Sequence, residues 1–205
     1  VALNRSLAGA IEIAERAYRR ESRVTGVATG LIDLDNLLGG LHPSDLIVLA
    51  SRPGMGKTAL ATNIAFHAAR NYRAESGPNG RPATIEGAVV GFFSLEMSAE
   101  QLASRMLAEE SGVPSDSLRK GSLKAEQWES LVEASQRLNR LPFFIDDTPA
   151  PSIAALRTRA RRLKRVHNLG LVVVDYLQLA RPSNSRGYDN RVLEVTEITQ
   201  GLKAM

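Results

Sequence analysis

The spacing of apolar positions changes several times along the chain, and each change marks an element. Over residues 3–20, Leu3, Leu7, Ala10, Ile11, Ala14, Ala17 and Tyr18 fall on one side of a helical projection, and Arg and Glu fill the other. This predicts an amphipathic helix whose apolar side docks on its own domain or on a neighbouring subunit. From Gly26 to Pro43 the chain is rich in turn residues and Asp and closes on Leu38-Gly39-Gly40-Leu41. After that, short apolar runs alternate with helical spacing. Residues 46–50 predict a strand. Residues 58–70 predict a helix with Leu60, Ile64 and Ala68 in line and Ala61 and Ala65 beside them. Residues 74–87 read as a surface insertion, a hairpin turning at Asn79-Gly80. A strand follows over residues 88–95. Ser98 and Gln101 are spaced as a capping box for a helix that pairs Leu102 with Met106 and Ala103 with Leu107.

The second half repeats the alternation. One helix carries Trp128, Leu131, Val132, Ser135 and Leu138, and residues 143–145 form a strand. Ser152 caps a helix with Ile153, Leu156, Ala160 and Leu163 inward, and residues 171–174 form a strand that ends at Asp175. Val192, Val195, Ile198, Thr199 and Leu202 make a last helical stripe, with no C-cap before Met205. That ending, and a first residue that is Val1, read as an excerpt of a longer protein. Fully apolar strands separated by helices predict the α/β class, with a mostly parallel sheet covered by helices on both faces. In such sheets the chemistry collects at the carboxyl ends of the strands. Lys57, Glu96 and Asp175 each follow a predicted strand.

Composition narrows the class. A chain of 205 residues with 43% hydrophobic and 23% charged positions is ordinary for a globular domain. No apolar run approaches the roughly 20 residues that cross a bilayer, and the start does not read as a secretory signal. The absence of cysteine removes disulfides and thiolate metal sites and fits a reducing cytosol. His42, His67 and His167 stand alone, which speaks against a histidine metal cluster. The net charge of +4 is mild but uneven, because Arg157, Arg159, Arg161, Arg162, Lys164 and Arg165 crowd together. Arg157, Arg161 and Arg165 fall on one stripe opposite Ile153, Leu156, Ala160 and Leu163. That pattern favours a solvated or subunit-facing helix surface over a DNA channel, and few aromatics interleave to stack bases.

The sharpest chemical signal is Ser51-Arg52-Pro53-Gly54-Met55-Gly56-Lys57-Thr58. The phosphate-loop pattern is Gly-x-x-x-x-Gly-Lys-Ser/Thr after a strand and at the start of a helix. Here Ser51 stands in the first glycine position and the rest is intact. Gly54 and Gly56 let backbone N–H groups close around a phosphate, and the helix start adds partial positive charge. Lys57 then reaches the β- and γ-phosphates, and Thr58 holds Mg²⁺ through its hydroxyl. The plain alternative is a glycine turn before a helix. The lysine, the threonine and both flanking elements favour the phosphate loop. Asp175 at a strand end is by itself an ordinary turn or cap residue. In the same sheet as a phosphate loop it becomes a candidate for the magnesium site. Glu96 has two readings on position alone, a carboxylate that activates water or a helix-start glutamate that suits the dipole.

Several stretches together resemble the C-terminal motor domains of the bacterial replicative DNA helicases of the DnaB family, members of the RecA-like P-loop ATPases. They are Thr25-Gly26-Val27-Ala28-Thr29-Gly30, Leu34-Asp35, Gly40-Leu41, the loop from Ala50 to Thr58, Phe93-Ser94-Leu95-Glu96-Met97-Ser98, Ala160-Arg161-Arg162-Leu163-Lys164 and Val174-Asp175-Tyr176-Leu177-Gln178-Leu179. The resemblance covers nearly the whole chain. It implies residues 1–24 as a linker helix and connection that docks on the adjacent subunit, and residues 25–205 as a C-terminally incomplete RecA-like motor. It implies Glu96 as the catalytic glutamate acting with Lys57, and ATP and Mg²⁺ as ligands. It also implies a cytoplasmic homo-hexameric ring on single-stranded DNA, with primase and helicase loader as partners. Residues 181–191 match the channel loop that tracks the strand, with Arg186 and Arg191 placed for phosphates.

The chain departs from the family at the longer insertion near residues 74–87. It also lacks the glutamine-bearing strand and the basic residues donated across the subunit interface, which implies that this piece alone binds nucleotide and hydrolyses it poorly. Two rival readings remain, a RecA-type recombinase and a non-catalytic, nucleotide-gated loader or primase platform. Phe93-Ser94-Leu95-Glu96-Met97 favours the helicase over the first, and the retained Glu96 argues against the second.

Overall fold

The computed structural model describes residues 3, 4, 7, 10, 11, 15, 24–77, 82–177 and 191–205, excepting the side chain of Arg191. Its centre is a parallel sheet of three strands, β3 (Val90–Ser94), β4 (Phe143–Asp146) and β5 (Leu171–Asp175), in the order β4-β3-β5. Register sets the exits level. Phe93 lies opposite Asp146 on one side and opposite Val174 on the other, and Ser94 pairs with Asp175. Every residue of β3 is buried, as a strand covered on both faces requires.

Alternate side chains feed two apolar layers. Phe93, Leu95, Val172 and Val174 meet Ile153, Leu156 and Ala160 of α6 (Ile153–His167) and Ile198 of α7 (Arg191–Lys203). Val90, Phe92, Leu171 and Val173 meet Ala65, Ala68 and Ala69 of α2 (Lys57–Arg70) and Leu102 of α3 (Ala99–Ser111). The expected covering of both faces is therefore present. α6 and α7 meet closely, since a Cβ on Gly201 would stand 2.4 Å from Ile153 Cγ2. The caps form as their residues suggest. Ser98 Oγ accepts from Gln101 N, the Gln101 side chain accepts from Ser98 N, and Ser152 Oγ accepts from Ala155 N. On α5 (Ala125–Leu138), Leu131 and Ala134 are buried, but Trp128 faces solvent at 61% exposure.

Two short helices appear where the periodicity gave no signal, α1 (Ile32–Leu38) and α4 (Ser115–Lys120). α1 lies inside the turn-rich stretch and ends at Gly39, whose left-handed φ of 68° suits glycine. Its anchor is the buried Asp35. One carboxylate oxygen accepts from Thr29 N at 2.7 Å and Thr29 Oγ1 at 2.8 Å, and the other accepts from Gly30 N at 3.2 Å. Asp35→Ala leaves these donors without an acceptor, and each lost partner costs about 1–3 kcal/mol. The expected result in urea denaturation is a lower midpoint, equivalent to a loss of about 3 kcal/mol of stability or more. An unchanged midpoint contradicts the anchoring role.

The insertion is a hairpin of β1 (Arg73–Ser76) and β2 (Pro82–Glu86), antiparallel and exposed throughout. The turn expected at Asn79-Gly80 lies outside the described residues. Asn168, the left-handed C-cap of α6, donates from its side chain to Pro82 O at 3.1 Å and ties the hairpin to the body. At the amino end, Leu3, Leu7, Ala10 and Ile11 are helical and exposed, whereas Ala14, Ala17 and Tyr18 lie outside the described residues.

One expected strand does not form. Residues 46–50 belong to no sheet, and Leu46, Ile47, Val48 and Leu49 are 39%, 52%, 71% and 45% exposed. The reason is pairing. A strand exists only when a neighbour takes its backbone N–H and C=O groups. Among the described residues none lies beside this segment, and β5 bonds only to β3.

Candidate active site

The phosphate-loop residues 51–56 are exposed, and Lys57 opens α2 with Gly56 as the preceding cap. Gly54 and Gly56 have φ of 78° and 84°, where a side chain is strained, and the space beside each is open for 4 Å. Backbone conformation, not crowding, therefore selects glycine here, and the open space is where an anion would sit. Lys57 Nζ donates to the carbonyl oxygens of Ser51 at 3.3 Å and Arg52 at 3.5 Å, which folds the ammonium over its own loop. Ser51 Oγ donates to Arg52 O at 3.2 Å. A serine in the first position thus braces the loop with a bond that glycine cannot make.

One backbone bond fixes α2 (Lys57–Arg70) to the sheet. The carboxyl end of the helix is fastened to the start of β3, where Ala88 N donates to Ala68 O at 2.9 Å. From Ala68 back to Lys57 the helix rises about 16 Å. From Ala88 forward to Ser94 an extended chain covers about 20 Å. The two lengths are similar, as an arrangement with the loop near the strand ends requires.

Two carboxylates wait there. Asp175, the last residue of β5, is buried, and its Oδ2 has no hydrogen-bond partner. A buried carboxylate oxygen left unpaired costs free energy unless a cation or its water shell satisfies it. Thr58, one residue into α2, is half-buried, and it is its carbonyl oxygen, not its hydroxyl, that accepts from Thr62 Oγ1 at 2.7 Å. Among the described residues no three His, Asp or Glu side chains gather as an all-protein metal site. Mg²⁺ usually takes few protein ligands, completed by phosphates and water, and the buried, unpaired Asp175 Oδ2 is a group that such a hydrated ion would satisfy. Glu96 lies two residues past β3, exposed, with its backbone held from both sides. Leu95 N donates to Asp175 O at 2.7 Å, and Ser94 Oγ donates to Met97 O at 2.8 Å.

A third acidic residue at this end gave no signal in the sequence. Asp146 ends β4 and takes both Oδ1 and Oδ2 to Arg159 NH1 at 2.7 Å. Burial pushes its carboxyl up, but hydrogen bonds from Thr148 and Arg159 outweigh that and hold it below the usual carboxylate range. A depressed folded pKa contributes stability above the unfolded value of about 4, and the contribution fades as pH falls through the folded value. Arg159 is thus turned inward and Arg157 is also half-buried, while Arg161, Arg162, Lys164 and Arg165 lie toward solvent. The channel-loop residue Arg186 lies outside the described residues. Arg191 begins α7, and its side chain is not described.

A family model described as the DnaB-like helicase C terminal domain matches residues 26–205. A Replicative DNA helicase DnaB from Rickettsia conorii is 50% identical over 200 residues, covering 98% of this chain and 39% of that protein. The chain therefore spans about two fifths of the length of such relatives. Among solved structures, one named "ATPase Domain of G40P" superposes with a TM-score of 0.82 at 25% identity, covering 99% of this chain and 66% of that one. Another, named "The Structure Of A DnaB-Like Replicative Helicase And Its Interactions With Primase", gives a TM-score of 0.75 at 24% identity, covering 100% and 45%, and speaks for the fold. With the fold, the loop and the two strand-end carboxylates in place, these matches settle the lineage: the chain belongs to the DnaB-like helicase C-terminal domain family.

Proposed function

We propose that this chain is the ATP-hydrolysing motor part of a replicative DNA helicase that moves on single-stranded DNA and unwinds duplex. The observation that carries the reading is the buried, unpaired Asp175 Oδ2 at the end of β5, beside the strand β3 whose chain runs on to Glu96, in a chain that also holds the phosphate-loop pattern. In this reading the backbone N–H groups of residues 54–58 and Lys57 Nζ bind and orient the triphosphate, within the loop Ser51 to Thr58. Glu96 orients a water and takes its proton as the water attacks the γ-phosphorus, the bond from that phosphorus to the β–γ bridging oxygen breaks, and ADP and inorganic phosphate leave. Thr58 and Asp175 would hold Mg²⁺, which would supply positive charge to offset that of the triphosphate.

Residues 1–24 act as the linker segment and residues 25–205 as the motor body. The exposed Leu3, Leu7 and Ile11 suit docking on a neighbouring copy in a homo-hexameric ring. Arg186 and Arg191 serve as phosphate contacts to DNA. Primase and a loader are partners of the whole protein, and the DnaB-like helicase whose structure is named for its interactions with primase supports the first. No helix among the described residues is long and apolar enough to cross a membrane, in keeping with work in the cytoplasm. The test is steady-state ATP hydrolysis by the intact protein with and without single-stranded DNA. DNA-stimulated turnover is expected. No turnover in either condition would leave only the nucleotide-gated platform standing.

A further inference from the structure

We infer that Asp147 is a positioning residue for the Glu96 loop, held in place from α6 by the Arg159–Asp146 pair. The inference rests on the reading of Glu96 as the residue that activates water. The Glu96 side chain is exposed, and no hydrogen bond among the described residues fixes its direction, so its aim is set by the backbone on either side. Before it, Leu95 N is bonded to Asp175 O and Ser94 Oγ to Met97 O. After it, the capping box of Ser98 and Gln101 closes locally. The remaining restraint comes from far away in the sequence. Asp147 Oδ2, in the loop after β4, accepts from Ala99 N at 2.9 Å.

That bond joins a carboxylate to a helix start. It is charge-assisted, roughly twice as strong as a neutral bond, and it lies where the helix dipole favours negative charge. A loop carboxylate can aim another loop only if its own loop is fixed, and here it is. Arg159 NH1 reaches both oxygens of Asp146 and also Thr148 Oγ1, all at 2.7 Å, and Thr148 N donates to Asp146 Oδ1 at 3.1 Å. A line of contacts therefore runs from the middle of α6 through Asp146 and the next peptide to Asp147, and from there to the start of α3. Ala99 stands three residues after Glu96. A shift of about 1 Å in a reacting group can cost on the order of 10²-fold in rate.

A residue that merely strengthened α3 would lower the melting temperature of its variants and leave the chemistry alone. A positioning residue changes kcat at constant KM. The experiment uses the intact protein and its DNA-stimulated ATPase, with Asp147→Ala and Asp147→Asn, plus amide hydrogen exchange of residues 95–99. Asp147→Ala is expected to lower kcat by about 10- to 10²-fold with KM for ATP within about twofold, and to speed exchange at Ala99. Asp147→Asn keeps an acceptor oxygen and recovers most of kcat. Unaltered kcat and exchange in Asp147→Ala, or a loss confined to KM or to melting temperature, overturns the inference. Glu96→Gln run alongside separates two failures. If it turns over normally, the base assignment falls and this inference with it. If it is inactive while Asp147→Ala is silent, only this inference falls.

Discussion

Lys57→Ala in the intact protein is expected to lower ATP turnover by about 10²–10³-fold or more, the loss that follows removal of one preorganised donor to developing charge. Several features make the expectation sharp. The ammonium is parked on two carbonyl oxygens of its own loop at 3.3 and 3.5 Å. Those bonds are long and exposed, so their loss costs little stability. The helix behind the loop is fastened elsewhere, through Ala65, Ala68 and Ala69 in the core. The variant therefore folds, and its defect is chemical. Phosphate release measured at saturating ATP reads the effect directly. Turnover within a factor of about two of the parent would remove the phosphate-loop assignment altogether.

Glu96→Gln is expected to separate binding from chemistry. Glutamine keeps the size and an acceptor oxygen but cannot take a proton, and losing a positioned general base costs about 10²–10⁴-fold. Glu96 is exposed and makes no contact that folding needs, and the backbone bonds that flank it remain. Nucleotide affinity is therefore expected to stay within about threefold, because in the proposed function residues 51–58, and not this side chain, hold the triphosphate. Measuring the affinity with a fluorescent nucleotide beside kcat decides the matter. A weakened affinity with normal kcat would place Glu96 in binding and return it to its other reading, a carboxylate favouring the start of α3.

What the sequence made legible was mostly local. The capping box at Ser98 and the cap at Ser152 each lie within four residues, and each formed as its spacing predicts, whereas at the phosphate loop the helix opened at Lys57 and the strand expected before it did not form. The apolar runs that became β3 and β5 were legible because strands covered on both faces carry no polar interruptions. Helix α1 was hidden because Gly and Asp around it read as turn residues, while a buried Asp35 with three hydrogen bonds in fact holds it. The bond between Asp147 and Ala99 joins residues 48 positions apart, and no periodicity records such a pairing. The run at residues 46–50 shows the opposite limit. Its composition is that of a strand, but strand formation is a property of two segments, and one segment cannot announce its partner.

That same run has a practical side. Four consecutive apolar residues, open to solvent and with backbone groups that no ladder occupies, make a template for pairing with another molecule. No charged residue or proline interrupts residues 46–50, so nothing blunts the edge. Handled in isolation, this polypeptide is therefore an aggregation hazard at high concentration. Sedimentation of the isolated piece would then report adventitious cross-β association alongside any ring, and solubility trials would gain most from a lysine placed at Val48, the most exposed of the four.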